Sequence, residues 1–114
     1  MLKDMQIFQK TYELLLWLYP TIKRFPRGDR YVLGERIESC ALDVLEGIIE
    51  SNNALDKSES LGKTSVELEK LRIFMRLAKD EKLISFRQYE FASEKINEIG
   101  RMLGGLMKKF GKDI

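Results

Sequence analysis

The residues with chemistry to offer are carboxylates one helical turn apart and a set of clustered guanidiniums. Glu46 with Glu50, and Glu94 with Glu98, have the spacing of paired acids on one helix face. Both pairs fall among the polar positions of periodic segments, so they read as solvated helix surface. The chain contains no histidine. That removes histidine acid–base catalysis, Ser-His and Cys-His nucleophiles, and the Glu-x-x-His ligands of di-iron bundles. It also removes the arginine–histidine ribonuclease motif of some small helical toxins. The single cysteine, Cys40, has no partner for an internal disulfide. It sits in an apolar pattern, as a small buried hydrophobe does. No metal-ligand set, phosphate-cradling glycine loop or nucleophile constellation stands out. The sequence predicts a protein that is not an enzyme, with no cofactor and no metal.

The cations are the better candidates. Lys23, Arg24, Arg27, Arg30 and Arg36 cluster against only Asp29 and Glu35, and Arg72, Arg76 and Lys79 line one flank of a later segment. Arg101, Lys108, Lys109 and Lys112 load the C-terminus against Asp113. The compensating acids gather in Glu38, Asp43, Glu46, Glu50, Asp56 and Glu59. Net charge is only +2, so total charge does not declare a nucleic-acid binder, but this distribution can give separate basic and acidic surfaces. Basic patches repeated by symmetry in an oligomer would make a phosphate-binding surface whose affinity falls steeply with salt. The bland reading of the same residues is solubilising charge and cations near helix C-termini.

The elements that must position these groups are helical. With 114 residues and 44% apolar content, the chain can form one domain, residues 1–114, around one core. The first helix is expected from about Asp4 to about Lys23. Its core stripe reads Met5, Phe8, Tyr12, Leu15, Tyr19 and Ile22. Trp17 interrupts the polar face and is flanked by Leu14 and Leu18. A helix apolar all round is covered all round, so the Trp17 side, with Leu14 and Leu18, reads as an oligomer interface. Pro20 removes a hydrogen bond and should kink or end the helix. A corner follows at Phe25-Pro26-Arg27-Gly28-Asp29, with Asp29 as N-cap.

The second helix is expected over 30–51. Leu33, Ile37, Cys40, Val44 and Ile48 form its core stripe, and Asn52 and Asn53 end it through a left-handed conformation. The third starts between Asp56 and Leu61 with capping-box spacing at Asp56 and Glu59. It buries Leu61, Ser65, Leu68, Leu71, Met75 and Ala78, with Ile73 and Leu77 as surplus apolar surface for an oligomer contact. The fourth opens on a Ser85–Gln88 capping box with Ile84 and Tyr89 as a hydrophobic staple. Its seam is Tyr89, Ala92, Ile96, Ile99, Leu103, Leu106 and Phe110, and Gly100 and Gly104 offer close approach to another backbone. Gly111 is a stop signal. Four helices with short connections make an all-α, antiparallel up-down-up-down four-helix bundle. That topology puts the corner arginines and the Arg72, Arg76 and Lys79 group near one end. Lys108, Lys109 and Lys112 fall at the other.

The longest apolar run, Leu14 to Tyr19, is far short of the ~18 residues a membrane span needs. The N-terminus MLKDMQIFQK has acid and amide residues where a signal peptide has its apolar core, which points to a cytoplasmic protein.

Several stretches resemble a family. WLYPTIKRFPRGDRYVLGERI in the first half, and LRIFMRLAKDEKLIS and INEIGRMLGGLMKKFGK in the second, are similar to the accessory variability determinant (Avd) proteins of diversity-generating retroelements. These belong with the 23S rRNA intervening-sequence proteins in a wider four-helix-bundle family. The resemblance implies a ring-like homopentamer with a basic surface. It also implies binding to the element's reverse transcriptase and to template RNA or other nucleic acid, in support of mutagenic reverse transcription and retrohoming. The reverse transcriptase would perform the chemistry. A second expectation is a helical protein-interaction scaffold of the intervening-sequence type with no nucleic-acid role.

Overall fold

The computed structural model describes residues 5–110; Asp4, Gly111, Lys112 and Asp113 lie outside them. The described chain is all helical, with four long helical stretches. Helix α1 is Gln6–Lys23. A single turn at Arg27–Asp29, a π-helical turn at Arg30–Gly34 and an α-helix at Glu35–Asn53 follow one another without a break, and residues 27–53 are α2. Helix α3 is Lys57–Asp80 and α4 is Phe86–Phe110. Helix α1 packs on α2 and α4, and α3 packs on α2 and α4. No helix among the described residues is long and apolar enough to cross a membrane.

Three of the four stretches bury the expected stripes with small changes. Ile37, Cys40, Val44 and Ile48 of α2 are buried, as are Leu61, Leu68, Leu71, Met75 and Ala78 of α3. In α3 the remaining buried position is Thr64 in place of Ser65. Ala92, Ile96, Ile99 and Leu103 of α4 are buried.

Helix α1 departs from expectation. Its buried face is Ile7, Thr11, Leu14, Leu15, Leu18, Thr21 and Ile22, one position N-terminal to most of the expected stripe, and Tyr12 and Tyr19 are exposed. The physical reason lies in two threonines. The Thr11 hydroxyl donates to the Ile7 carbonyl and the Thr21 hydroxyl to the Trp17 carbonyl, each at 2.8 Å. A hydroxyl satisfied on its own helix can be buried at little cost, so polar letters occupy core positions. Thr64 and Ser51 do the same toward Ser60 and Ile48, at 2.8 and 3.0 Å.

Helix ends also differ. Pro20 neither ends α1 nor shortens it, because the helix continues to Lys23. Leu16, whose carbonyl loses its partner, lies on an exposed face with Pro20, where water can serve instead. Asp29 makes no cap and lies inside a helical turn that begins at Arg27. Helix α2 ends without a left-handed asparagine. Ala54 turns extended, with φ −80° and ψ 148°. The Lys57 ammonium donates to the Ser51, Asn52 and Ala54 carbonyls at 2.8, 3.2 and 3.2 Å, a cation set against a helix C-terminus.

The N-terminus of α3 is capped by Asp56, which accepts from the Ser58 backbone N–H at 3.0 Å, while Glu59 faces Lys63 at 3.3 Å. The expected capping box at α4 is present. Ser85 N–H donates to Gln88 Oε1 at 2.8 Å, and Gln88 N–H to Ser85 Oγ at 3.0 Å. The α3–α4 turn has Leu83 N–H donating to the Ala78 carbonyl at 2.8 Å and Lys82 N–H to that of Lys79 at 2.9 Å. That is a Schellman motif, with Lys82 at φ 62° where glycine is usual.

Close approach occurs on α2 and not at Gly104, around which there is open space. A Cβ on Gly34 would fall 2.8 Å from Ile22 Cγ2, and one on Gly47 would fall 3.1 Å from Thr64 Cβ. Ser60 Oγ reaches the Gly47 carbonyl at 3.4 Å across the same crossing. Gly47→Ala gains about 1 kcal/mol of helix propensity, but overpacking costs roughly 1–3 kcal/mol. A net loss of stability is expected in urea denaturation. In a Thr64→Ala background the same change should be neutral or stabilising. A Gly47→Ala protein as stable as the parent would mean the crossing is not steric.

Candidate nucleic-acid interface

The basic corner is built by a tight exit from α1. Arg24 N–H donates to the Thr21 carbonyl at 3.2 Å and Phe25 N–H to that of Ile22 at 2.9 Å. Phe25 is buried and anchors the corner. Pro26 then takes an extended ψ of 149°, and Arg30 N–H donates to its carbonyl at 2.9 Å to open α2. Gly34 tucks against Ile22, so the π turn rides on the end of α1.

This short connection leaves Lys23, Arg24, Arg27 and Arg36 exposed, with no ion pair among the described residues. Arg30 differs from its neighbours. Its guanidinium donates from Nη1 to the Lys23 carbonyl at 3.3 Å, and its Nε is buried without a partner among the described residues. It also lies 5.5 Å from the centroid of the Tyr31 ring. Arg30 is therefore first a cap on α1 and a support for Tyr31.

The α3 cations are engaged. Arg72 meets Glu69 at 3.2 Å and donates to Asn97 Oδ1. Arg76 and Lys79 both face Asp80, at 3.9 and 3.4 Å, and Lys79 lies 4.7 Å from the Tyr89 centroid. Arg101 is exposed and lines a groove of about 420 Å³ between α3 and α4, together with Arg72, Gly100 and Gly104. Lys108 and Lys109 are exposed on the last turn of α4, with Lys109 5.3 Å from the Phe110 centroid. The exposed Arg87 beside Ser85 is a further cation that the sequence reading passed over.

The acids form their own face. Asp43, Glu46, Glu50 and Glu67 line a depression between α2 and α3 with Lys63. Burial pushes the Cys40 thiol up, and the Glu67 charge adds to it. Asp43 is exposed as a residue, but loss of solvent around its carboxyl, and then the charge of Glu67, raise its pKa above the usual aspartate value. A hydrogen bond to Glu67 raises Lys70, at 3.0 Å. Glu98 of the other acid pair faces Lys10 at 3.7 Å.

The residues expected at an oligomer contact divide. Leu14 and Leu18 are each 1% exposed and belong to the protomer core, because the true buried stripe of α1 runs through them. Trp17 is half-buried and its ring packs on Phe91, with centroids 5.1 Å apart. Ile73 and Leu77 are exposed. A further exposed apolar face lies elsewhere. Tyr12, Leu16, Tyr19 and Leu42 are exposed around a depression of about 430 Å³ floored by Leu15 and Leu45. The signal was available, since Tyr12, Leu16 and Tyr19 are spaced four and three apart opposite the threonine positions.

The chain is thus an all-helical protein with separate cationic, acidic and apolar surfaces. A family model described as bAvd-like matches residues 5–110, and the chain belongs to that family. No curated protein matches it significantly.

The raised Asp43 supplies a test of the acidic face. An acid whose folded pKa lies above its unfolded value binds its proton more tightly when folded, so stability is lost as pH rises from the unfolded toward the folded value. Asp43→Asn should therefore raise the Tm at neutral pH and leave it unchanged near about pH 3, below the ordinary aspartate range. A Tm gain of equal size at both pH values would remove the charge explanation.

Proposed function

We propose that this chain is a non-catalytic accessory protein of a diversity-generating retroelement. It acts in the cytoplasm, binding the element's reverse transcriptase and its template RNA in support of mutagenic reverse transcription and retrohoming. Membership of the bAvd-like family supports the class of protein. The observation that carries the binding reading is the corner, where Lys23, Arg24, Arg27 and Arg36 are exposed with no ion pair among the described residues. Such cations gain most by displacing counterions from a phosphate backbone.

The bundle runs alternately up and down. Lys10 faces Glu98 while Trp17, later in α1, meets Phe91, earlier in α4. Lys57 at the start of α3 lies 5.6 Å from the Phe110 centroid at the end of α4. Gly47 late in α2 faces Thr64 early in α3. This order sets Arg76, Lys79 and Arg87 at the same end as the corner and Lys108 and Lys109 at the far end. The protomers assemble as a ring, most simply the homopentamer of the Avd resemblance. The Tyr12, Leu16, Tyr19 and Leu42 face, with Ile73 and Leu77, supplies the apolar contact area better than the Trp17 side does. The reverse transcriptase performs the chemistry, and the ring presents cations to RNA and to an acidic or mixed polymerase surface.

Two measurements test this. In a titration of fluorescent structured RNA over a salt series, the Arg24→Ala, Arg27→Ala, Arg36→Ala triple variant should bind more weakly. Its salt slope should be shallower by about two to three, with unchanged helicity by circular dichroism. Unaltered affinity would take the corner out of the RNA site, and a parent protein without RNA affinity would favour the protein-only scaffold. For assembly, Leu16→Glu with Leu42→Glu should move the mass seen by light scattering toward the monomer. A mass that stays put would rule that face out.

A further inference from the structure

We infer that the corner is a platform for single-stranded nucleic acid, with the Tyr31 ring as the stacking surface for one unpaired base. This rests on the phosphate-binding reading of the same corner and adds the form of nucleic acid it takes.

Tyr31 is 58% exposed, and its apolar neighbour Val32 is exposed beside it. Both sit on the π turn of α2, whose inward residue is Gly34 against Ile22. The ring is backed by the Arg30 guanidinium, 5.5 Å from its centroid. Arg30 is itself tied to the Lys23 carbonyl at 3.3 Å and has its Nε buried. The ring's support is therefore held by the end of α1 and not by solvent, which lowers the ordering cost of binding against it. With more than half of Tyr31 open despite that cation, a face of the ring remains available.

Position and charge select the occupant. Arg27 lies one helical turn before Tyr31, and Lys23, Arg24 and Arg36 flank the same corner, all exposed. An open aromatic face on a corner that also carries exposed cations, with no ion pair among the described residues, is the arrangement that holds single strands, with phosphates on the cations and bases on the ring. A duplex cannot use it in the same way. Its bases are stacked on one another, and an A-form helix offers phosphates and 2′-hydroxyls across a shallow groove but no free base face. The cations would serve either form, whereas Tyr31 serves only the unpaired one. The contrast within the protein is Phe110, whose ring already has Lys57 and Lys109 ammoniums within 5.6 and 5.3 Å.

The test is fluorescence anisotropy on the full chain with two fluorescein-labelled RNA probes of about twelve nucleotides, an oligouridine strand and a blunt duplex. Parent, Tyr31→Ala, Tyr31→Phe and the Arg24/Arg27/Arg36 triple alanine variant are compared. Tyr31→Ala should weaken the single strand by about fivefold or more, the size of one base–aromatic stack. Duplex affinity should change by less than about twofold, within the loss of a single non-stacking contact. Tyr31→Phe should keep the parent's affinity for both. If Tyr31→Ala loses equally on both probes, or on neither while the parent binds, the stacking platform is wrong and phosphate binding stands. If the parent binds neither probe, or the triple variant binds as the parent does, the phosphate reading itself fails and the platform with it.

Discussion

How closely helices can approach at Gly34 and Gly47 governs the rest of this structure. A side chain at Gly34 would collide with Ile22, and one at Gly47 with Thr64. The first contact lets α2 begin almost on top of the end of α1, so the connection between them can be the three residues Arg24, Phe25 and Pro26, with the wide turn at Arg30–Gly34 following inside α2. The second draws α2 and α3 together along a face where both helices place carboxylates. The exposed arginines and the crowded acids are consequences of backbone proximity at these two points. Charge segregation here follows from packing, since a looser bundle would spread the same residues over more solvent.

The helices were legible in the sequence wherever a capping signal or an uninterrupted apolar spacing was present. Helix α4 is the clearest case, because the reciprocal Ser85–Gln88 bonds mark its start and Ala92, Ile96, Ile99 and Leu103 hold one face. Helix α1 was misread by one position for a specific reason. Thr11 and Thr21 look polar as letters but hide their hydroxyls on the preceding turn. Tyr12 and Tyr19 look like core by size but face outward. That single-residue rotation also accounts for Leu14 and Leu18, expected at a contact between subunits and found inside the protomer. The continuation of α2 back to Arg27 through a π turn had no signature in the letters, because Gly28 and Asp29 read as turn and cap. Gly34 and Gly47 were not singled out either, since steric need at a crossing depends on what lies opposite.

The candidate site was legible as composition but not as state. The sequence showed where cations cluster along the chain. It did not distinguish cations engaged within the protomer from those with no ion pair among the described residues. Arg72, Arg76 and Lys79 have acid partners at ordinary helical spacing or across a short gap, and Arg30 is committed to a helix end. With those four set aside, the corner keeps Lys23, Arg24, Arg27 and Arg36, with Tyr31 as the exposed aromatic ring among them, and Arg101, Lys108 and Lys109 remain exposed on α4. Exposed ion pairs are individually weak, so the engaged arginines remain exchangeable, but each must first give up a partner.

The Schellman turn between α3 and α4 places a lysine in the conformation that glycine occupies most cheaply. For an L-residue that backbone costs roughly 1–2 kcal/mol, and Lys82 retains it because three hydrogen bonds and the buried Ile84 close the turn around it. The position is thus a junction between two currencies of selection. Relaxing the backbone with glycine deletes a positive charge, and keeping the charge retains the strain. Homologues drifting at this site would trade folding stability against surface potential one residue at a time, without touching the core or the corner.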